Sequence, residues 1–377
     1  MRKRFLVAAA VVLLAGSVAA QPSISQPPSG GNQRQTVIQQ IGPVSVTVSY
    51  SSPHVKSPQG EDRRGKIWGK LVPYGLTDLG FGTCKECPWR AGANENTTFA
   101  TTHDIVVEGQ KLAAGTYGLH MIADPSEWTV IFSKNHTSWG SFTYDPAEDA
   151  LRVKVKPEKS EFREVLTYDF TERRNDKATL TMKWDELAVP VSISVPNAND
   201  LYIAQIKNEL RNDTGFTWQN WSAAAQFALD HKYNAEALRW AEFAAHGKGG
   251  IGQENFTTLM QLADATEANG KAADAKPLRE KALNLPGTTA IEIHLYGRQL
   301  LGRKQQDEAM KVFVLNAKRF PNQWPVNVGL ARGYSAAGRY DDALKYAKLA
   351  LAQAPDEGNR KNLEAAVKKL EAKQDIN

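Results

Sequence analysis

The sequence predicts two domains of different class: an antiparallel all-β sandwich or barrel, followed by an α-helical solenoid. Three observations predict this order. Short apolar runs separated by turn residues fill residues 43–198, the hydrophobic period becomes helical after the segment VPNAND (195–200), and an internal repeat runs through residues 199–377. We therefore place a β domain at 43–198 and a helical repeat domain at 199–377.

The first 20 residues have the pattern of a signal peptide. Three basic residues at positions 2–4 precede an apolar run, and small residues suited to cleavage follow near Ala19 and Ala20. Residues 21–42 are rich in Pro, Ser, Gly and Gln, a composition typical of a flexible leader. We expect an exported protein, periplasmic or secreted after cleavage.

The charge and hydropathy patterns exclude several classes of partner. The formal net charge is +5, and three of these charges belong to the predicted signal peptide. Because no other cluster of Lys and Arg occurs, we expect no binding of nucleic acid. No later apolar segment approaches the length of a membrane span, and no cofactor motif is present, so we predict no membrane span, cofactor or metal.

Period-two alternation identifies the strands of the β domain. In PVSVTVSY (43–50), valines alternate with serine and threonine, as in a half-buried strand. Runs of the same kind recur along the domain, separated by Gly, Pro, Asn and Asp. The further predicted strands are Thr97–Thr101, Ile105–Val107, Thr116–Ile122, Trp128–Ser133, Leu151–Val155, Val165–Phe170, Ala178–Trp184 and Val189–Val195.

The helical domain contains a repeat marked by AEAL, ADAK, DEAM and DDAL, with spacings of 38, 34 and 34 residues between their anchor alanines. A small residue lies twelve positions before each anchor. This pattern resembles tetratricopeptide (TPR) repeats, which are pairs of antiparallel helices; the alternative is a non-repetitive helical bundle. The anchors are Ala237, Ala275, Ala309 and Ala343, and the preceding small residues are Ala225, Ala263, Gly297 and Ala331.

Six motifs of the β domain occur in one order: YSSPHVK, GKIWGKLVPYG, WRAGANENTTF, LAAGTYGLHMIA, EWTVIFSKNHTSWGSFTYD and ALRVKVKP. In this order they resemble an exported bacterial family known only as domain-of-unknown-function family 2911 (DUF2911). The resemblance implies a β domain with helical repeats behind it, and it implies no particular activity. One segment departs from the family pattern, because Leu76–Pro88 has the character of an insertion.

Both cysteines, Cys84 and Cys87, lie in that insertion. A structural disulfide, a metal or redox site, and reduced thiols are the three alternatives, and the first is favoured in an exported protein. The chain lacks the following histidine of a haem site and the strand-to-helix context of a thioredoxin site.

The segment after the cysteines supplies the candidate ligand site of the β domain. Trp89, Arg90, Asn94 and Glu95 are crowded before a predicted strand, and Trp139 completes the candidate set. One interpretation is a pocket with Trp89 as an apolar wall, Arg90 binding an anion and Glu95 acting as a base. The other is an ion pair between Arg90 and Glu95 together with hydrogen bonds in a turn.

Two further candidate groups follow. His120 and His136 are candidate metal ligands, although packed histidines are the commoner case and no metal-binding motif is present. In the helical domain, the TPR resemblance implies that the first helix of each pair lines a concave face, which would expose the candidate partner-binding residues. These are Met260, His294, Arg298 and Arg332.

The favoured function is therefore that of a non-enzymatic binding or scaffold protein. Its repeats would recruit a protein or peptide partner, and its β domain would bind a ligand or a surface. The alternative is a periplasmic hydrolase that uses Glu95 and Arg90, with or without a histidine-bound metal.

Overall fold

The computed structural model describes residues 31–377, and the chain divides into two compact units after Ala198. The predicted signal peptide and the leader as far as residue 30 lie outside the described residues. Among the helices of residues 31–377, none is both long enough and apolar enough to cross a membrane.

Residues 31–198 of the first unit contain ten strands in two antiparallel sheets, which confirms the predicted sandwich; these sheets do not close into a barrel. The six-stranded sheet has the order β1-β2-β3-β6-β7-β8, and the four-stranded sheet has the order β5-β4-β10-β9. The strands are β1 Gln33–Ile41, β2 Val44–Ser52, β3 Thr97–Thr101, β4 Ile105–Val107, β5 Gln110–Leu112, β6 Gly115–Ile122, β7 Trp128–Ser133, β8 Asp149–Val155, β9 Glu158–Thr171 and β10 Lys177–Ser194.

The predicted flexible leader is wrong for its last part, because Gln33–Ile41 is strand β1. This strand pairs with β2 along its whole length. It is an edge strand whose side chains are mostly exposed, so its composition is polar. Main-chain hydrogen bonding to β2 holds it in place, and composition does not reveal such bonding.

The two strands predicted at 178–184 and 189–195 form a single strand, β10. The register with β9 shifts on both sides of Asp185, which is buried and has a left-handed backbone with φ of 55°. The Asp185 carboxylate accepts a hydrogen bond from the Gly65 N–H. A β-bulge thus accommodates the polar residues that suggested a break in the sequence.

Four tryptophans pack together in the centre of the β unit. Trp128 lies on β7 and Trp184 on β10, whereas Trp68 and Trp89 lie on the long connection of residues 53–96. Each tryptophan of the connection contacts both strand tryptophans, with ring centroids 5.0 to 6.2 Å apart. The connection is therefore part of the core and joins the two sheets.

The second unit contains ten helices. They are α1 Ala198–Glu209, α2 Trp218–Asp230, α3 Asn234–His246, α4 Phe256–Ala268, α5 Ala272–Asn284, α6 Ala290–Gly302, α7 Gln306–Arg319, α8 Trp324–Ala336, α9 Tyr340–Ala352 and α10 Glu357–Glu371.

Helices α2 to α9 form four TPR-like pairs, which confirms the predicted solenoid. The anchor alanines lie in the second helix of each pair and have no exposed surface. The small residues twelve positions earlier lie in the first helix of each pair and are also buried. Small side chains at these positions let the helices cross closely, which explains why the pattern repeats.

Phe313 of α7 shows how close these crossings are. A Cβ atom added to Gly297 of α6 would lie 2.3 Å from the Phe313 ring, and one added to Gly329 of α8 would lie 2.6 Å from it. Phe313 is buried between the two glycines. No larger side chain fits at either position unless the ring moves.

We expect Gly297→Ala to destabilise the protein by about 1–2 kcal/mol, measured by urea unfolding. Overpacking costs about 1–3 kcal/mol, more than the up to about 1 kcal/mol that alanine gains in a helix. The matched control is Gly302→Ala in the same helix, where an added Cβ meets open space. Equal stability of the two variants would contradict the close-packing interpretation.

Candidate functional site

The β unit contains a cavity of about 440 Å³. Most of its lining comes from the connection of residues 53–96, and Asn32, Ser141 and Trp184 complete it. Its walls are largely apolar: Pro53, Pro58, Leu71, Val72, Pro73, Leu79, Cys87, Pro88, Trp89, Ala93 and Trp184. Among residues 31–377, its charged lining residues are Arg63 and Arg90, and no carboxylate lines it.

The loop that carries Arg90 has an unusual backbone. Ala91 and Asn94 adopt left-handed conformations, with φ of 52° and 60°, and this costs free energy for a residue such as alanine. The Ala91 carbonyl accepts hydrogen bonds from the Tyr168 hydroxyl (2.8 Å) and the Thr97 hydroxyl (3.1 Å). These buried contacts hold the loop in its strained shape.

Arg90 is held in one orientation by three contacts. Its Nη1 donates to the Asn94 carbonyl at 2.7 Å, and its guanidinium lies 5.0 Å from the centre of the Phe142 ring. It also packs on Gly140, where an added Cβ would lie 2.3 Å from Cζ. Burial lowers the pKa of Arg90 from its usual value, but arginine remains charged.

The predicted ion pair between Arg90 and Glu95 does not form. Glu95 instead accepts a hydrogen bond from the Ser51 hydroxyl at 3.0 Å. The second cation, Arg63, donates to two main-chain carbonyls, those of His54 (2.7 Å) and Val55 (3.0 Å). Within residues 31–377, neither arginine of the cavity forms a salt bridge with a carboxylate.

His120 and Ser141 form a buried pair next to Arg90. The two side chains are joined by a hydrogen bond of 3.0 Å between Nδ1 and Oγ, and Ser141 lines the cavity. Burial, and then the positive charge of Arg90, lower the pKa of His120 from 6.5 to about 4. His120 is therefore neutral near pH 7. Within residues 31–377, no group of three His, Cys, Asp or Glu side chains is arranged to hold a metal ion.

The two cysteines form a disulfide. Both are buried, and they pack against Ile131 and Tyr144. The insertion is also anchored to the rest of the β unit, because the Cys84 N–H donates to the Phe142 carbonyl at 3.0 Å; the main-chain hydrogen bonds between Thr77 and Cys87 close the insertion on itself. Through Thr77, Leu79, Cys87 and Pro88 the insertion forms one side of the cavity.

The structure brings together three of the five candidate ligand-binding residues: Trp89, Arg90 and Asn94 line the cavity. Glu95 and Trp139 do not line it, and the Trp139 side chain is 60% exposed. The sequence interpretation missed Arg63, Ser141 and Trp184. No motif links these residues to Arg90, because they are brought to it only by the fold.

The candidate residues of the helical unit are placed differently from the prediction. Met260 and His294 are buried, Arg332 is half-buried, and only Arg298 is exposed. The predicted exposure of Met260 and His294 is therefore wrong, because these side chains fill space between packed helices. Burial, and then the charges of Arg298 and Arg332, lower the pKa of His294 to about 4.

A segment with neither helix nor strand, residues 374–377, lies on helix α8. The Ser335 hydroxyl donates to the Asp375 carboxylate at 2.6 Å and accepts from the Ile376 N–H at 3.1 Å. Arg332 donates to the Ile376 carbonyl at 3.4 Å, and its own carbonyl accepts from the Asn377 side chain at 3.1 Å. Helix α8 thus contacts both the side chains and the main chain of this segment.

Residues 32–193 match the family model described as "Protein of unknown function (DUF2911)". The β unit is thus similar to the DUF2911 family over most of its described residues, and it is called the DUF2911 domain below. The cavity, both of its arginines and the disulfide all lie inside the matched range. No curated protein matches the chain.

Several solved structures are similar to the helical unit. They include two TPR proteins and MamA. YrrB, described as a TPR protein with an unusual peptide-binding site, is 17% identical over 45% of this chain and 84% of its own, with a TM-score of 0.29. A thermophilic TPR protein of Thermus thermophilus, TTC0263, is 18% identical over 45% of this chain and 91% of its own, with a TM-score of 0.29. MamA of Desulfovibrio magneticus RS-1 is 18% identical over 43% of this chain and 95% of its own, with a TM-score of 0.27.

We expect the paired substitution Cys84→Ser with Cys87→Ser to destabilise the DUF2911 domain by about 2 kcal/mol. The disulfide closes only a short loop, so its removal increases the chain entropy of the unfolded state only slightly. Guanidinium unfolding of the full chain measures the change. In the unaltered protein a thiol reagent should react with neither cysteine until a reductant and a denaturant are present. Rapid reaction without reductant would contradict the disulfide.

We expect His120 to make the stability of the DUF2911 domain depend on pH below neutrality. Because its pKa is about 4 in the folded protein and about 6.5 when unfolded, the unfolded chain binds the proton more readily. The contribution of neutral His120 to the free energy of unfolding is fully present above pH 6.5 and is lost as the pH falls towards 4. The expected loss is about 3 kcal/mol.

The measurement compares urea unfolding of the unaltered chain and His120→Asn at pH 7 and at pH 4. Asparagine keeps a neutral group near the Ser141 hydroxyl and cannot be protonated, so this variant should lose less stability on acidification. The control is His136→Asn, whose ring is partly exposed. If His120→Asn and His136→Asn show the same pH dependence, burial of a neutral His120 is not its cause.

Proposed function

We propose that this protein is an exported, non-enzymatic binding and scaffold protein. Its helical unit holds an extended segment of a protein partner, and its β unit binds a small ligand. One observation carries the proposal for the helical unit: α8 holds residues 374–377 through hydrogen bonds to both side chain and main chain. A surface that binds one segment through its side chains and its main chain is suited to binding another.

The charges on this surface favour an acidic partner. Arg298 and Arg332 lie on the first helices of the last two pairs, close enough for each charge to act on the pKa of His294. Asp375 is the one acidic side chain of the bound segment. Burial raises its pKa, but the hydrogen bonds from Ser335 and Asn377 together lower the pKa by more, so that the net shift is downward. A partner segment with an Asp or Glu at the same place would receive the same hydrogen bond.

The segment also offers an apolar side chain to the surface. Ile376 packs beside the buried cluster that contains Ala331 and Leu370. We therefore propose a partner segment that is extended, carries a carboxylate and has an apolar residue directly after it. Such a segment would replace residues 374–377 on α8.

The experiment uses a chain shortened to end at Ala372 and a fluorescent peptide with the sequence of residues 371–377, measured by fluorescence anisotropy. The peptide should bind, and the full chain should bind it less well because its own segment occupies α8. Arg332→Ala in the shortened chain, or alanine for the aspartate of the peptide, should weaken binding about tenfold, since each removes a charge-assisted hydrogen bond.

The matched control is Arg360→Ala on α10, which removes an exposed arginine and should leave peptide binding unchanged. Circular dichroism must show that the shortened chain keeps its helices. A folded shortened chain that binds the peptide no better than a scrambled peptide would contradict the proposal.

The hydrolase alternative is not favoured by a specific contact. Glu95, its candidate base, does not line the cavity that contains Arg90, and it is bonded to Ser51. We therefore assign no catalytic role to Glu95.

A further inference from the structure

The cavity of the DUF2911 domain has an unusual balance of charge. Arg63 and Arg90 line it, and no Asp or Glu of the described part of the chain does. Both arginines are half-buried, and arginines withdrawn from water are usually paired with carboxylates, because an unpaired cation there costs free energy. The two guanidinium groups therefore leave a positive potential inside a largely apolar cavity.

Both arginines are fixed before any ligand binds. Arg63 is held by two main-chain carbonyls, and Arg90 by one carbonyl, the Phe142 ring and Gly140. Within residues 31–377, Nε and Nη2 of Arg90 donate to no acceptor, so two adjacent donors of the guanidinium are unused. Two such donors match the two oxygens of a carboxylate or of a phosphate group.

The remaining lining of the cavity is suited to the apolar part of a ligand, called its body below. Trp89 and Trp184 stack with an interplanar angle of 17°, and both line the cavity. Leu71, Val72 and Pro73 belong to the same lining. The volume of about 440 Å³ lies in the range of small-molecule sites.

We propose that this cavity binds a small organic acid, in which a carboxylate or phosphate group is joined to a flat or branched apolar body. Arg90 binds the anionic oxygens, Arg63 adds positive charge, and Trp89 with the other apolar lining residues contacts the body. The ligand binds without a chemical change.

This inference rests on the ligand binding proposed for the β unit and names its chemical class. The peptide experiment tests only helix α8, so either proposal can fail without the other.

The experiment titrates the full chain with four probes and follows tryptophan fluorescence and heat. Phenylacetate and phenyl phosphate carry both features, phenylacetamide lacks the charge, and inorganic phosphate lacks the apolar body. At least one of the first two should bind with a Kd of about 1 mM or tighter, as expected of ligands with so few atoms. The neutral amide and inorganic phosphate should each bind at least about tenfold more weakly.

Variants assign the interaction to the cavity. Arg90→Gln should weaken binding of the organic anion at least about tenfold and abolish the preference for phenylacetate over phenylacetamide. Arg63→Gln should weaken it less. The matched control is Arg64→Gln, which removes a neighbouring exposed arginine that pairs with Asp62 and does not line the cavity.

Each outcome decides the proposal. Binding of phenylacetate alone identifies a carboxylate ligand, and binding of phenyl phosphate alone identifies a phosphate ester. Equal binding of the amide would overturn the role of the arginines, and equal binding of inorganic phosphate would overturn the role of the apolar walls. Failure of both organic anions to bind at about 10 mM overturns the proposal. If Arg90→Gln does not fold, Arg63→Gln and the comparison of probes on the unaltered chain still decide.

Discussion

The β unit depends on a cluster of four tryptophans. Two of them belong to the long connection, and they pack between one tryptophan from each sheet. Trp68 and Trp89 each contact Trp128 of one sheet and Trp184 of the other. Burial of rings of this size is among the largest apolar contributions to stability in a domain. A connection of more than 40 residues is therefore fixed as part of the core. Because Arg90 directly follows Trp89, the same packing places its guanidinium beside the cavity.

The cavity shows how a fold keeps cations that lack a carboxylate partner. Main-chain carbonyls hold Arg63, and a carbonyl with an aromatic ring holds Arg90. Such contacts offset part of the desolvation free energy without neutralising the charge. Burial beside Arg90 also keeps His120 neutral. The left-handed Ala91 in the same loop is a second free-energy cost, and costs of this kind concentrate at functional sites.

The sequence predicted the repeats more completely than the candidate sites. Anchors such as Ala309 are buried at helix crossings, so steric exclusion repeats along the chain and is visible as a pattern. The side chains exposed on the concave face follow no comparable pattern in the sequence. His294 proved buried because Phe313 and the neighbouring helix cover it. Segment 374–377 on α8 was also not predicted, since its partner residues lie about 40 positions earlier.

By itself the sequence determined the class and order of the two domains, the DUF2911 motifs and the choice of the segment after Pro88 as a candidate site. Hydrophobic periods and small-residue spacing are local properties, and they remain readable in one dimension. Only the tertiary structure decided that Arg63, Ser141 and Trp184 join Arg90, that Glu95 does not, and that the polar segment 33–41 is a strand. These outcomes depend on contacts between distant residues and on main-chain pairing, which residue type alone does not encode.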